Sequence, residues 1–591
     1  MKIVLANSVG MGEHGERYVH FPSRWTAVES PSWYDHSKGW MTFYPFMLAY
    51  CSALLKRDTP HTVKFMDGNL NNWNHAAYLQ KIAAEKPDWL VMETSTLAFA
   101  MDMKLVNAVK AATGCKVILA GQHPSAFPAE TLKAGADHVC IGEYEMTVKE
   151  LLNGAPVTDI AGLHPNPRRP LTDPNLLPWP EDGDVRRMDY KEPVVNEYRE
   201  LEMFASRGCP LACNFCVVAN VYYGGAGSWR PRDVDDVTNE IAAMKKKYPE
   251  MEGVFFDDEA HNGRKEFVID LCKSIIAKGL HTLKYNAMCG YWNLDREMLE
   301  WMKKAGYYKL RVGIETADKD VARAMQKSQS VKKLYAALEA ANETGIRVYG
   351  TFTYGALASS PERDRATTAL IQDLLEKKLL YDMQISICTP QPGTPFYASC
   401  ASEGAITTFD WEKYDGGRNV IQSYKHYSAE QIKEEVARAR RVAANAGGGA
   451  RFKDADFSRI LAAIPASIHT LLLICSGPRW QTRALLAELK KRPGLEVRLL
   501  LRPDPDDDFN NIARWTFGEG PLAPARLTPE TLEGMRREQY PLALVQINHN
   551  CEDAADYADV FRVAESVAAR WIAVDIKGTV RDGEVAPPAG R

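Results

Sequence analysis

Short apolar runs alternate with longer stretches of helical period through the first 155 residues: KIVLAN, TVKFMD, DWLVMET, KVILAG and HVCIG, with helical spacing between them, as around residues 46–56. Runs of this length suit strands. Strand and helix in strict alternation predict a parallel sheet, a doubly wound Rossmann-like α/β domain over residues 1–155. Residues 156–200 lose the alternation and carry HPNPRRP and LPWPEDGD, which predicts a linker. From Leu201 a second series begins, with strands near Met203, Val254, Leu283, Leu310, Val348 and Ile385. Six such units predict a partial (β/α)6 barrel over residues 201–400. Residues 401–456 read as a helical extension, where Ser428 and Gln431 form a capping box for a helix ending near Asn445 and glycines 447–449 act as punctuation. Alternation returns over residues 457–578 (TLLLIC, EVRLLLR, LALVQIN, WIAVDI), predicting a smaller C-terminal α/β domain, and residues 579–591 read as a disordered tail.

Composition narrows the function classes. Hydrophobic residues at 46 % and charged residues at 25 % are ordinary for a globular chain of 591 residues, and a net charge of -4 offers polyanions no general attraction, so nucleic acid is not expected as a partner. The most apolar stretch, residues 460–474, is interrupted by Pro465, Ser467 and His469 and falls short of the roughly 20 apolar residues of a spanning helix. No transmembrane segment is expected. MKIVLANSVG enters a strand without the marks of an export signal, which predicts a cytoplasmic protein. The twelve cysteines are then expected to be reduced thiols, and clustered ones become metal candidates.

One cluster exists. FASRGCPLACNFC places Cys209, Cys213 and Cys216 within eight residues, directly after the first barrel strand, where barrels carry their chemistry. Thiolates ligate iron-sulfur clusters, and one short loop wraps a 4Fe-4S cube without long-range closure. A fourth neighbouring cysteine is missing, which leaves one iron open to a substrate or cofactor. The competing readings are a structural zinc loop, which wants four ligands, and packing. The other cysteines, Cys51, Cys272 and Cys388 among them, sit among apolar neighbours and read as core.

The CxxxCxxC loop, with Phe215 before its last cysteine, resembles the signature of the radical S-adenosylmethionine superfamily. That resemblance implies that S-adenosylmethionine chelates the open iron and that an electron from the cluster cleaves it to a 5'-deoxyadenosyl radical. It also implies an external electron donor such as flavodoxin or ferredoxin. Asp257, Asp258 and Glu259 stand where the family receives the cofactor's amino group, an ammonium that needs acceptors, although each would serve equally as a helix cap. Glu315 and Thr316 at the fourth strand end resemble the position that contacts the ribose or methionine part. Pro392 and Gly393, in CTPQPGTPFY, resemble the segment near the adenine, where prolines fixing a rigid loop would be a sufficient structural reason.

A doubly wound domain before such a barrel resembles the cobalamin-binding subclass. YPFMLAYCSALLK, ETSTLAF, AGQHPSAFP and IGEYE match its local patterns, which implies cobalamin held by Ser95, Thr96, Gly121, Gln122, His123, Gly142 and Glu143. Small residues there let backbone approach a large ligand, or satisfy turns. The DxHxxG motif whose histidine ligates cobalt is absent. Neither His14 nor His123 is therefore expected to be a metal ligand. The aromatic loop of residues 10–40, with Trp25, Trp33, Tyr34 and Trp40, would cover a cavity or simply pack.

Together these imply a cobalamin-dependent radical enzyme that methylates an unactivated carbon of a small-molecule, natural-product or lipid substrate. Rearrangement, cyclisation or ring contraction in the same subclass is the alternative, and from another class an iron-sulfur sensor or electron carrier. A tRNA-modifying role is disfavoured by the acidic charge.

Overall fold

The computed structural model describes residues 1–12, 17–20, 26–28, 41–192, 196–327, 330–417, 419–446, 457–477, 479–501, 509, 512–517, 522–547, 558–575 and 580–583. His14, Trp25, Trp33, Tyr34, Trp40 and the glycines 447–449 lie outside them. The described residues fall into two compact units, one within residues 1–440 and one from Arg441 onward.

The first unit contains two parallel sheets. Strands β1 (Lys2–Asn7), β2 (Thr62–Asp67), β3 (Trp89–Glu93), β4 (Lys116–Ala120) and β5 (His138–Val139) pair in the order β2-β1-β3-β4-β5. Both faces are covered, as the unbroken apolar runs require. Ile3, Leu5, Val91 and Ile118 pack against the helix Phe46–Asp58, while Val4, Leu90, Met92 and Leu119 pack with the helix Phe99–Thr113. From β1 the chain passes to β2 on one side and then crosses β1 to β3 on the other, so a crevice opens beyond the carboxyl ends of β1 and β3. Ligands of open α/β sheets bind at such a switch point.

The second sheet runs in chain order: β6 (Glu200–Met203), β7 (Gly253–Phe256), β8 (Lys284–Cys289), β9 (Tyr307–Glu315), β10 (Arg347–Tyr354) and β11 (Asp382–Ile387), all parallel. Alternation along β9 puts Leu310 and Val312 on one face and Lys309 and Arg311 on the other. The polar face meets the segment before β6. Glu192 pairs with Arg311 at 2.6 Å, Asn286 donates to Asn196 at 2.9 Å, and Glu197 pairs with Arg347 at 2.5 Å. These contacts tie Glu192, Asn196 and Glu197 to the polar face of β8, β9 and β10.

Ser428 and Gln431 exchange the two bonds of a capping box, 2.9 Å and 3.3 Å, at the start of the helix Ala429–Asn445.

The second unit holds β12 (Thr470–Ile474), β13 (Glu496–Leu501), β14 (Arg514–Thr516), β15 (Ala543–Gln546), β16 (Trp571–Val574) and β17 (Val580–Gly583), in the order β14-β13-β12-β15-β16-β17. The last strand corrects the expectation of a disordered tail from residue 579: residues 580–583 pair antiparallel with β16 through their main chain. Among the described residues no helix is long and apolar enough to cross a membrane.

Candidate functional site

The cysteine loop leaves β6 and is held from several sides. Gly208, at φ +85°, is required: a Cβ there would lie 2.3 Å from the Ser228 carbonyl oxygen. Cys209 N–H donates to Ser228 Oγ at 3.1 Å, and Asn220 Nδ2 donates to the carbonyls of Cys213 and Cys216 at 2.9 and 2.7 Å. Asn214 donates its backbone N–H to Met325 O and its side-chain amide to Ala324 O, at 2.9 and 2.8 Å.

The thiols face one another electrostatically. Burial, reinforced by the neighbouring thiols, pushes Cys209 and Cys213 up to about 12, against a partial offset from an N–H···S contact at Cys209 and from Lys327 near Cys213. Three thiolates here need a positive partner, and the iron of a cluster is one, so the donor set fits a 4Fe-4S group.

The three acids after β7 divide their work. Asp258 accepts Ala205 N–H and Ser206 N–H at 2.7 and 3.2 Å and contacts His261 Nδ1 at 2.7 Å. Glu259 accepts Gly208 N–H at 2.8 Å and the Tyr223 hydroxyl at 3.1 Å. Both therefore shape the chain that enters the cysteine loop. Asp257 is buried beside Glu202, whose carboxyl is pushed well up by burial and by that neighbouring charge.

Glu315 sits at φ +69°, an uncommon conformation for a glutamate, and pairs with Lys327 Nζ at 2.7 Å. Thr316 is fully occupied as a turn former, its Oγ1 accepting Asp318 N–H at 3.1 Å and meeting Thr367 Oγ1 at 3.2 Å. Pro392 is buried, and Gly393 at φ +82° packs where a Cβ would meet Val221 at 2.9 Å and Ala126 at 3.0 Å.

At the switch point, Ser95 is half-buried while Thr96, Gln122 and His123 are buried. Thr96 N–H donates to Gln122 Oε1 at 3.2 Å, and Gln122 Nε2 donates to Gln391 Oε1 at 2.8 Å, joining this crevice to the loop after β11. His123 stacks on Phe99 at 4.0 Å with Trp411 edge-on at 5.5 Å. Burial holds its imidazole neutral, down to about 3, and its Nε2 has no hydrogen-bond partner among the described residues, with Glu130 Oε2 3.7 Å away. Buried amide and hydroxyl groups beside a ring nitrogen open to a further hydrogen bond fit a ligand rich in polar side groups. Gly121, at φ +109°, lets β4 close on β3, since a Cβ would come 2.5 Å from Thr94 O. Below lies Asp102, buried, accepting the hydroxyls of Ser8 and Thr94 and pushed up by burial to about 7.

Gly142 and Glu143 lie between the crevice helix and the cysteine loop: Gly142 N–H donates to Ser125 Oγ at 3.0 Å, in the helix Gln122–Ala126. A Cβ on Gly142 would meet Arg168 at 2.4 Å and Tyr222 O at 2.7 Å, and Glu143 pairs with Arg207 at 3.2 Å and Arg230 at 3.0 Å. The motifs did not single out Lys327, Arg207, Tyr222, Glu93 or Gln391. Arg207, two residues before Cys209, Glu93 at the head of ETSTLAF and Gln391 within CTPQPGTPFY lie inside those motifs and carry a positional signal, whereas Lys327 and Tyr222 carry none.

Residues 203–369 match the family described as the Radical SAM superfamily, and residues 41–152 match the B12 binding domain. The chain is 26 % identical over 413 residues to an uncharacterized methyltransferase of Pyrococcus horikoshii, covering 67 % of this chain and 86 % of that one. It is 24 % identical over 332 residues to the bacteriochlorophyllide d C-12(1)-methyltransferase of Chlorobaculum tepidum, covering 53 % and 68 %. In fold it is similar to the cobalamin-dependent S-adenosylmethionine radical enzyme OxsB, with a TM-score of 0.58 at 12 % identity over 83 % of this chain and 70 % of that one.

Proposed function

We propose, from the premise that this chain belongs to the cobalamin-binding branch of the radical S-adenosylmethionine superfamily, that it methylates an unactivated carbon of a small-molecule, natural-product or lipid substrate. One observation carries the reading furthest: the cysteine loop and the switch-point crevice lie in one compact unit, in which Gln122 also joins the crevice to the barrel loop after β11 through Gln391. Methyltransferases among the relatives support it.

When bound, the cluster supplies the electron that cleaves S-adenosylmethionine and cobalamin supplies the methyl group for the substrate carbon. Cys209, Cys213 and Cys216 hold the cluster. Asp258 and Glu259 hold the backbone that presents those thiolates. The Glu315 carboxylate offers the acceptor, and Lys327 the donor, that the amino and carboxylate ends of S-adenosylmethionine require. Ser95, Thr96 and Gln122 offer hydrogen bonds to the corrinoid amides, and neutral His123 packs rather than ligates. Every described cysteine is free of disulfides, which suits a reducing cytoplasm and a flavodoxin or ferredoxin as electron donor.

The test is anaerobic reconstitution with iron, sulfide and cobalamin, followed by turnover with methyl-labelled S-adenosylmethionine. S-adenosylhomocysteine with a labelled product supports methyl transfer. 5'-Deoxyadenosine without label in any product would replace it with cyclisation or rearrangement, and no 5'-deoxyadenosine at all would leave a sensor or electron carrier.

A further inference from the structure

We propose that Arg207 and Tyr222 are positioning residues that couple the cysteine loop to the corrinoid crevice, so that each cofactor binds more tightly once the other is in place. The proposal rests on the functional reading above. Its basis is that both arms of the loop are anchored in the first sheet, not in the barrel alone.

The entry arm is Arg207, whose side chain is 1 % exposed. It donates to Glu143 at 3.2 Å and Glu145 at 2.7 Å, just past β5, and lies 4.5 Å over the Tyr50 ring. The exit arm is the turn after Cys216. There the Tyr222 hydroxyl donates to Glu93 at the end of β3, and Arg168 donates to the carbonyls of Val221 and Tyr222 at 2.8 and 2.9 Å. The same turn carries Asn220, whose amide holds the carbonyls of Cys213 and Cys216.

A continuous chain of contacts therefore links the crevice to the thiols. Glu93 packs against Gly121, where a Cβ would touch its Cγ at 2.8 Å, and Glu93 meets Tyr222, two residues beyond Asn220. Fixing the crevice fixes Glu93 and with it the turn whose Asn220 amide holds the backbone of two thiolate ligands. Fixing the loop around a cluster fixes Tyr222 and with it the wall of the crevice. Whichever group binds first meets the ordering cost of the shared segment, and the second binds to a surface already in place. Linkage makes the effect equal in both directions.

The experiment uses the full chain in two forms, reconstituted with the cluster and stripped of iron by a chelator, each titrated with hydroxocobalamin and followed by absorbance. Wild type should bind hydroxocobalamin roughly tenfold more tightly in the cluster-loaded form. Tyr222→Phe, which removes one hydroxyl, should bring the ratio close to one while the electron paramagnetic resonance spectrum of the reduced cluster stays unchanged. Arg207→Gln should do the same, and Arg207→Lys, which keeps the charge, should recover part of the ratio. Should Arg207→Gln fail to fold, Tyr222→Phe decides alone. Equal affinities in the two wild-type forms, or a ratio that survives Tyr222→Phe, would overturn the coupling while leaving the corrinoid reading intact. Failure of hydroxocobalamin to bind either form would overturn both.

Discussion

Replacing Asp102 by asparagine should change how the stability of the first unit depends on pH. Asp102 lies in the first turn of the helix Phe99–Thr113, is fully buried, and accepts the hydroxyls of Ser8 and Thr94. Burial lifts its carboxyl from 3.8 to about 7. A carboxyl raised in the fold binds its proton more tightly there than in the unfolded chain. Its stabilisation is fully present below about pH 4 and is lost as pH rises to about 7. At ~1.4 kcal/mol per unit, a shift of roughly three units is worth up to ~4 kcal/mol. Asparagine keeps the shape and one acceptor, and its amide can donate to the other hydroxyl, so this slope should vanish in Asp102→Asn. Denaturant unfolding of both proteins at several pH values between these limits measures it. Wild type should lose stability relative to the variant across the window by a few kcal/mol. Parallel pH profiles would refute the assignment of a buried, proton-holding Asp102.

Three further outcomes follow from the loop and its neighbours. Gly208→Ala forces a methyl against Ser228 O in left-handed backbone, and iron loaded on reconstitution should fall about fivefold or more with the circular dichroism unchanged; loading equal to wild type would count against the loop geometry. Lys327→Met strands Glu315 in a buried setting and should cost ~3–5 kcal/mol in unfolding free energy, most of it recovered by adding Glu315→Gln. Cys209→Ala, Cys213→Ala and Cys216→Ala should each abolish the visible absorption of the reconstituted cluster, whereas Cys272→Ala, in the helix Lys265–Ala277, should leave it.

What could be read along the chain was local. The apolar runs at Val254, Leu310, Val348 and Ile385 fall inside β7, β9, β10 and β11, and the two members of the Ser428–Gln431 box are three positions apart. Both depend on periods of two to four residues. Roles that depend on partners far along the chain were not legible. Arg207 and Glu143 are 64 positions apart and Tyr222 and Glu93 are 129 apart, so spacing says nothing of either contact. Glu143 reads as a crevice residue and Asp258 as a ligand acceptor or a cap, and the contacts of Glu143 with Arg207 and of Asp258 with the Ala205 and Ser206 amides are invisible to spacing. VRDG at residues 580–583 was illegible for another reason: an edge strand held by main-chain pairing needs no apolar alternation.

The polar contacts beneath the barrel also impose a mechanical constraint. With Glu192, Asn196 and Glu197 bonded to Arg311, Asn286 and Arg347, the stretch of chain that enters β6 is tied to β8, β9 and β10 at once, so three neighbouring strands are stitched a second time by one short run of residues. Removing Glu192 would take the carboxylate partner from buried Arg311 and loosen the stretch from which the first barrel strand grows.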